Sequence, residues 1–324
     1  MSEDVVFVTR NRAGINQSKQ RRAVLALPWV MAFIILFTQG LSLAVSAAEL
    51  ITIDDSQVPL ATNVLKPEAT GKKTFKGGGA TVDASNANEG YVMVKFSGSN
   101  KKIKVRITRS GKTTYTYDLK SGSYEVFPLT SGDGNYSIEV FENVSGNQYA
   151  QALKCSVAVK LRNSTLPFLY PSQYVNFTSS SATVKKAEAL VGSATNGIAK
   201  VSGVYNFVIS NVKYDTQKAK TVQSGYLPQV DAILKSGKGI CFDYAALMAS
   251  MLRAQGIPTR LEVGYVSGGQ YHAWISVYLK DVGWVNDVIY FDGKNWKLMD
   301  PTFASSGGSK YVGDGKNYKV QYIY

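Results

Sequence analysis

Two side-chain types in this 324-residue sequence could form a nucleophile and its base, and both are scarce. The chain holds two cysteines, Cys155 and Cys241, and one histidine, His272. A thiol attacks a carbonyl carbon as the thiolate, and a neighbouring imidazole is a means of holding it in that form. The imidazole in turn needs a third group to fix its tautomer and orientation. Asp300, in Asp300-Pro301-Thr302, offers a carboxylate at the expected end of a strand.

The elements around these residues decide whether they can meet. Cys241 follows the turn Gly237-Lys238-Gly239-Ile240. Apolar residues then recur at Ala245, Met248, Ala249 and Leu252, the spacing of one helix face. Gly256 and Pro258 end the pattern. Cys241 therefore falls in the first helical turn, where free N–H groups and the helix dipole favour a thiolate. A buried core cysteine fits the same stretch. His272 lies in a predicted strand over residues 270–278, with Ala273, Ile275 and Val277 on one face and His272, Trp274 and Ser276 on the other. A strand over 259–266 precedes it, joined by the hairpin-length link Ser267-Gly268-Gly269-Gln270. A third strand, 295–299, runs into Asp300. On residue type alone His272 also fits a satisfied core or surface histidine, and Asp300 a turn residue.

Four stretches in order, GKGICFDYAALMASMLRAQGIPTR, LEVGY, YHAWISVY and WKLMDPTF, carry a family likeness. With the segment from Val204 to Asp215 upstream, they make residues 204–303 resemble the transglutaminase-like core, a branch of the papain-like cysteine enzymes, here of an exported bacterial type. The resemblance implies an α+β fold, with a helix bundle carrying the cysteine packed on an antiparallel sheet. It implies a Cys-His-Asp triad, which carries over to Cys241, His272 and Asp300. The Cys241 N–H is the expected oxyanion donor, with Tyr214 or Asn211 as the second. Gly239, Tyr244 and Trp274 are the expected cleft residues. The chemistry implied is acyl transfer from a peptide or glutamine amide. Water as acceptor gives a protease or amidase, the favoured reading, and an amine gives a glutamine γ-glutamyltransferase. A non-catalytic surface protein on the same fold is the third reading. No cofactor is implied. One histidine and two cysteines cannot make an all-nitrogen and sulfur zinc site, so no metal is expected.

The rest of the chain bears on setting and partners. The net charge is +13, with no run of basic residues longer than short pairs such as Lys101-Lys102. That pattern suits an anionic cell-wall polymer better than nucleic acid. Residues 1–22 are polar and basic, 23–48 are uncharged, and Ala44 to Ala48 are small. Residues 1–48 thus read as a signal peptide cut near Ala47 or Ala48, or as an uncleaved anchor, the sole expected contact with a membrane. The chain is expected to be secreted or held at the cell surface, acting on a peptide or protein substrate. Residues 49–88, with Lys76-Gly77-Gly78-Gly79, read as a linker. Residues 89–165 show six short strands at regular spacing, suggesting a small immunoglobulin-like sandwich with Cys155 in its core. Residues 180–324 make up the expected catalytic domain. Helices are expected over 184–212, broken at Gly192, Gly197 and Gly203, and over 226–236 with Pro228 in the first turn. The tyrosine-bearing stretch 310–324 is expected to form a last strand walling the cleft.

Overall fold

The computed structural model describes residues 6–11, 14–16, 64–266, 269–280, 282–285, 289–291, 296–298 and 318–324. The apolar run 23–48 and residues 267–268 and 292–293 lie outside them. Among the described residues no helix is long and apolar enough to cross a membrane.

Among the described residues, the first half of the chain is mostly strand. Its elements are β1 (Val6–Asn11), β2 (Gly14–Asn16), β3 (Thr74–Gly77), β4 (Ala80–Asp83), β5 (Tyr91–Phe96), β6 (Ile103–Arg109), β7 (Thr114–Leu119), β8 (Glu125–Pro128), β9 (Gly134–Ser145) and β10 (Gln148–Val159). They form one sheet in the order β3-β4-β5-β8 and a second in the order β2-β1-β10-β9-β6-β7. Alternation fixes which face turns inward. Ile103, Val105 and Ile107 of β6 and Tyr115, Tyr117 and Leu119 of β7 are buried, in one cluster with Val82, Val92, Val94 and Phe127 of the facing sheet. Tyr136, at the start of β9, bends back so that its hydroxyl donates to the Gly132 carbonyl at 2.7 Å, the tyrosine-corner arrangement of strand sandwiches. The sandwich begins earlier than the sequence suggests. Residues 74–83, expected in a linker, form β3 and β4, a hairpin closed by Gly78 and Gly79 at φ 50° and 80°.

Helices follow: α1 (Ala182–Val191), α2 (Gly197–Asn211), α3 (Thr216–Thr221), α4 (Val230–Ser236) and α5 (Cys241–Ala254). The Asn196 side chain caps α2 by accepting from the Ala199 N–H at 2.8 Å. Gly203 does not break α2 as expected. It lies where α1 crosses, and a Cβ there would meet the Val191 side chain at 2.4 Å. Pro228 precedes α4 instead of sitting in its first turn. The amphipathic face expected of α5 is also corrected, because every residue from Asp243 to Ala254 is buried. A helix buried all round is the centre of its domain. Leu247, Met251 and Leu252 are fully buried, each contributing about 1.5–3 kcal/mol of apolar transfer.

The helices pack on a sheet in the order β15-β14-β13-β18, formed by β13 (Thr259–Tyr265), β14 (Tyr271–Leu279), β15 (Gly283–Val285) and β18 (Lys319–Ile323). Two small pairs complete the set: β11 (Lys213–Tyr214) with β12 (Lys238–Gly239), and β16 (Ile289–Phe291) with β17 (Trp296–Leu298). Arg253, at the end of α5, is buried and spends its guanidinium on three carbonyls, those of Thr259, Tyr170 and Tyr324, each at 2.9 Å. Helix, sheet and connector are thereby tied at one point. The sandwich meets this domain through aromatic rings. Tyr115 and Tyr117 stand edge-on to Tyr324 at 5.6 and 5.9 Å, and Thr130 donates to the Ile323 carbonyl at 2.7 Å.

Candidate active site

Cys241 owes its position to a short crossing of backbone. Gly237 ends α4 with φ at 60°, a conformation that favours glycine. The chain then pairs in parallel with β11, Lys213 opposite Lys238 and Tyr214 opposite Gly239. Ile240 is extended at the N-cap, and Cys241 opens α5. Two residues on, the Asp243 carboxylate reaches back to accept the Ile240 N–H at 2.9 Å, as the third helical residue does in a capping box. Cys241 is half-buried, with a free thiol. It is the first residue of α5, at the N-terminal end of the helix.

His272 comes from β14, opposite Gly264 of β13. Nothing larger than glycine fits at 264, where a Cβ would lie 2.1 Å from the Lys319 carbonyl oxygen. The His272 ring is 4% exposed and lies nearly parallel to Trp274 at 6.5 Å between centroids. Trp274 is held by its own donation to the buried Glu262 carboxylate at 2.9 Å and by the edge of Tyr318 at 5.0 Å. Cys241 and His272 line the same cleft of about 580 Å³. Asp300 lies outside the described residues, two positions past the end of β17.

One wall of the cleft is the segment 219–226, and a buried carboxylate fastens it. Asp243 is wholly buried and accepts from Lys218 Nζ at 2.5 Å and from the Tyr226 hydroxyl at 2.6 Å, besides the Ile240 N–H. Burial, and then its hydrogen bond to Asp243, push the Tyr226 phenol up, so it remains a donor. Sequence reading sees Asp243 only as an acidic residue early in a helix. Its partners lie 25 and 17 residues upstream, in a stretch with no apolar period to give it away.

The other expected site residues divide. Tyr214 lines the cleft. Asn211 is exposed at the end of α2, and its amide donates to the Phe207 carbonyl at 2.8 Å. Tyr244 is wholly buried, its hydroxyl donating to the Val212 carbonyl at 2.6 Å. Trp274 supports the His272 ring from the core rather than forming a wall. Gly239 gives room not to a ligand but to Asp243, whose Cβ would stand 2.6 Å from a side chain there. The rings that do form the cleft include Tyr174, Phe242, Tyr271 and Tyr324. Of these, Tyr324 fulfils the expectation that the last stretch walls the cleft.

A family model supplies the assignment. Residues 184–287 match the transglutaminase-like superfamily core. This chain contains a transglutaminase-like core. Around it the fold is mixed helix and sheet, with the helix that carries the cysteine packed on an antiparallel sheet. Among curated proteins, the chain is 24% identical over 195 residues to the uncharacterised protein YebA of Bacillus subtilis, covering 54% of this chain and 26% of that one. It is 28% identical over 118 residues to a protein-glutamine gamma-glutamyltransferase of Pseudomonas aeruginosa, covering 28% of this chain and 16% of that one. The chain thus spans about a quarter or less of those relatives' length. Among solved structures, a Cytophaga hutchinsonii protein provisionally named a cysteine protease overlays at a TM-score of 0.34 with 17% identity, covering 73% of this chain and 79% of that one. Red sea bream transglutaminase overlays at 0.25 with 13% identity, covering 65% and 48%. Overlays this weak define no common fold, and the family model carries the assignment.

Proposed function

We propose that this chain is a cysteine acyl-transfer enzyme that hydrolyses peptide or carboxamide bonds through a thioester on Cys241. The observation that carries the proposal is the meeting of a helix-start thiol and the chain's one imidazole on a single open cleft. In this reading the Cys241 thiolate attacks the amide carbon while the His272 imidazolium holds the proton. The carbonyl oxygen becomes an oxyanion facing the Cys241 N–H. As the tetrahedral species collapses, the C–N bond breaks, and the amine leaves with the proton from His272. Neutral His272 then takes a proton from water, whose oxygen displaces the thiolate and frees the acid. Asp300 is assigned the task of orienting the ring, and Tyr214 that of second oxyanion donor. The uncharged run 23–48 and the basic balance of the chain support export to the cell surface or medium.

The test pairs two co-substrates. The chain is incubated with a protein substrate and a fluorescent primary amine, and products are read by mass spectrometry. New N-termini without amine incorporation are expected. Amine incorporation without cleavage would make it a glutamine γ-glutamyltransferase. No product from either, with Cys241 alkylated by iodoacetamide only as fast as an ordinary thiol, would leave a non-catalytic surface protein. N-terminal sequencing of the secreted chain is expected to begin after Ala47 or Ala48, a cut that removes β1 and β2 from the β10 edge of the second sheet.

A further inference from the structure

The chain is strongly basic, yet the lining of its cleft is not. Six of the lining side chains are aromatic: Tyr174, Tyr214, Tyr226, Phe242, Tyr271 and Tyr324. Val222, Ile240 and Val263 add aliphatic surface. Among the described residues none that lines the cleft is Asp, Glu, Lys or Arg. Among the described residues, Lys218 and Asp243 stand at Tyr226 and are spent on each other and on its hydroxyl. Lys218 Nζ lies 4.3 Å from the centre of the Tyr226 ring, so that ring screens the pair from the cleft. The rings are also fixed. Tyr174 packs against Phe242 at 5.3 Å and Tyr324 at 4.6 Å, and Tyr324 against Tyr117 of the sandwich at 5.9 Å.

We propose that this cleft selects substrates with an aromatic or large apolar side chain beside the bond attacked, and rejects acidic and basic ones. The proposal rests on the acyl-transfer reading for the identity of the attacking atom. The physical ground is that rigid aromatic walls give an apolar side chain surface to bury and ring faces to stack on. A charged side chain entering there loses water and, apart from the Cys241 and His272 pair that is spent on the reaction, finds no opposite charge among the described lining residues. The positive charge of the chain then acts on approach to an anionic surface, outside the cleft, and not on choice of the residue attacked.

Three chloromethyl ketones, derived from N-acyl phenylalanine, aspartate and lysine, test this. In each, the Cys241 thiolate forms a C–S bond to the methylene carbon and chloride leaves, so labelling rate reports seating in the cleft without turnover. Labelling of Cys241 by the phenylalanyl reagent is expected to be about 10-fold or more faster than by the other two. Val222→Glu places a carboxylate in the lining at a position 37% exposed, where folding is not at stake. It is expected to speed the lysyl reagent and slow the aspartyl one. Equal rates for all three, or a faster charged reagent, overturn the proposal. Iodoacetamide run in parallel separates the two levels. Slow, His272-independent labelling by it sinks the acyl-transfer reading, whereas a preserved phenylalanyl preference still upholds the selectivity.

Discussion

Cys155 and Cys241 carry the same thiol in two regions that treat it in opposite ways. Cys155 sits in β10 of the sandwich, buried among Val157, Ile138 and their neighbours, and burial pushes its pKa up to about 11. Cys241 sits in the first turn of α5, half-buried, on a cleft it shares with His272. A strand offers a thiol packing and no spare dipoles, since its N–H groups are engaged in the ladder. A helix start leaves its first N–H groups without intrahelical acceptors. The difference teaches that the setting of a thiol is decided by the element on which it is mounted, a strand packed in the sandwich for Cys155 and a helix start on a cleft for Cys241.

The comparison breaks most sharply at the nucleophile. Cys241→Ala is expected to lower amide hydrolysis by about 10³-fold or more, while Cys155→Ala leaves the rate within about two-fold at a temperature where the variant stays folded. Similar losses from the two, measured by product release, would end the contrast. His272→Ala is expected to cost about 10²–10⁴-fold and to bring Cys241 alkylation at neutral pH down to that of an ordinary accessible thiol.

Asp243→Ala is expected next, with a stability loss of about 2–4 kcal/mol in urea, because it leaves Lys218 without its carboxylate and the Ile240 N–H without its acceptor. A rise in KM larger than the fall in kcat would show that the 219–226 wall has moved. For Cys155 the sign of the pH effect follows from its pKa. Its folded value, about 11, exceeds the ordinary 9.0, so the folded state holds the proton longer than the unfolded one. Stability from this group is complete below pH 9 and declines as pH rises towards 11. Cys155→Val is expected to flatten the alkaline loss of melting temperature across that window, and an unchanged slope would contradict it. The smallest effect is at the seam between the regions. Thr130→Ala removes the bond to the Ile323 carbonyl and is expected to cost about 1 kcal/mol, read from the denaturation midpoint.

Much of this was legible before any coordinates. The apolar positions around Cys241 and the Gly256-Pro258 stop define α5 to within a residue or two. The Ile103-Val105-Ile107 alternation defines β6. What the sequence conceals has physical reasons. β3 and β4 hide because their Gly-Gly turn has the composition of a linker, and only the pairing of Thr74 with Asp83 shows otherwise. α3 hides because none of its residues is buried, so no hydrophobic period marks it. At the site, Cys241, His272 and Tyr214 are visible as types in ordered motifs. The Asp243, Lys218 and Tyr226 contact is not, because three segments distant along the chain must fold before it exists. Tyr244 and Trp274 mislead for the opposite reason: a residue beside a reactive one in sequence can point into the core.

The aromatic seam has a practical consequence for anyone who would transplant the transglutaminase-like core. The family boundaries, 184–287, exclude Tyr174 and Tyr324 as well as Tyr115 and Tyr117. A fragment trimmed to those limits would present bare ring-sized gaps behind Phe242 and a sticky apolar face to water. The minimal portable cassette therefore has to carry its sandwich along.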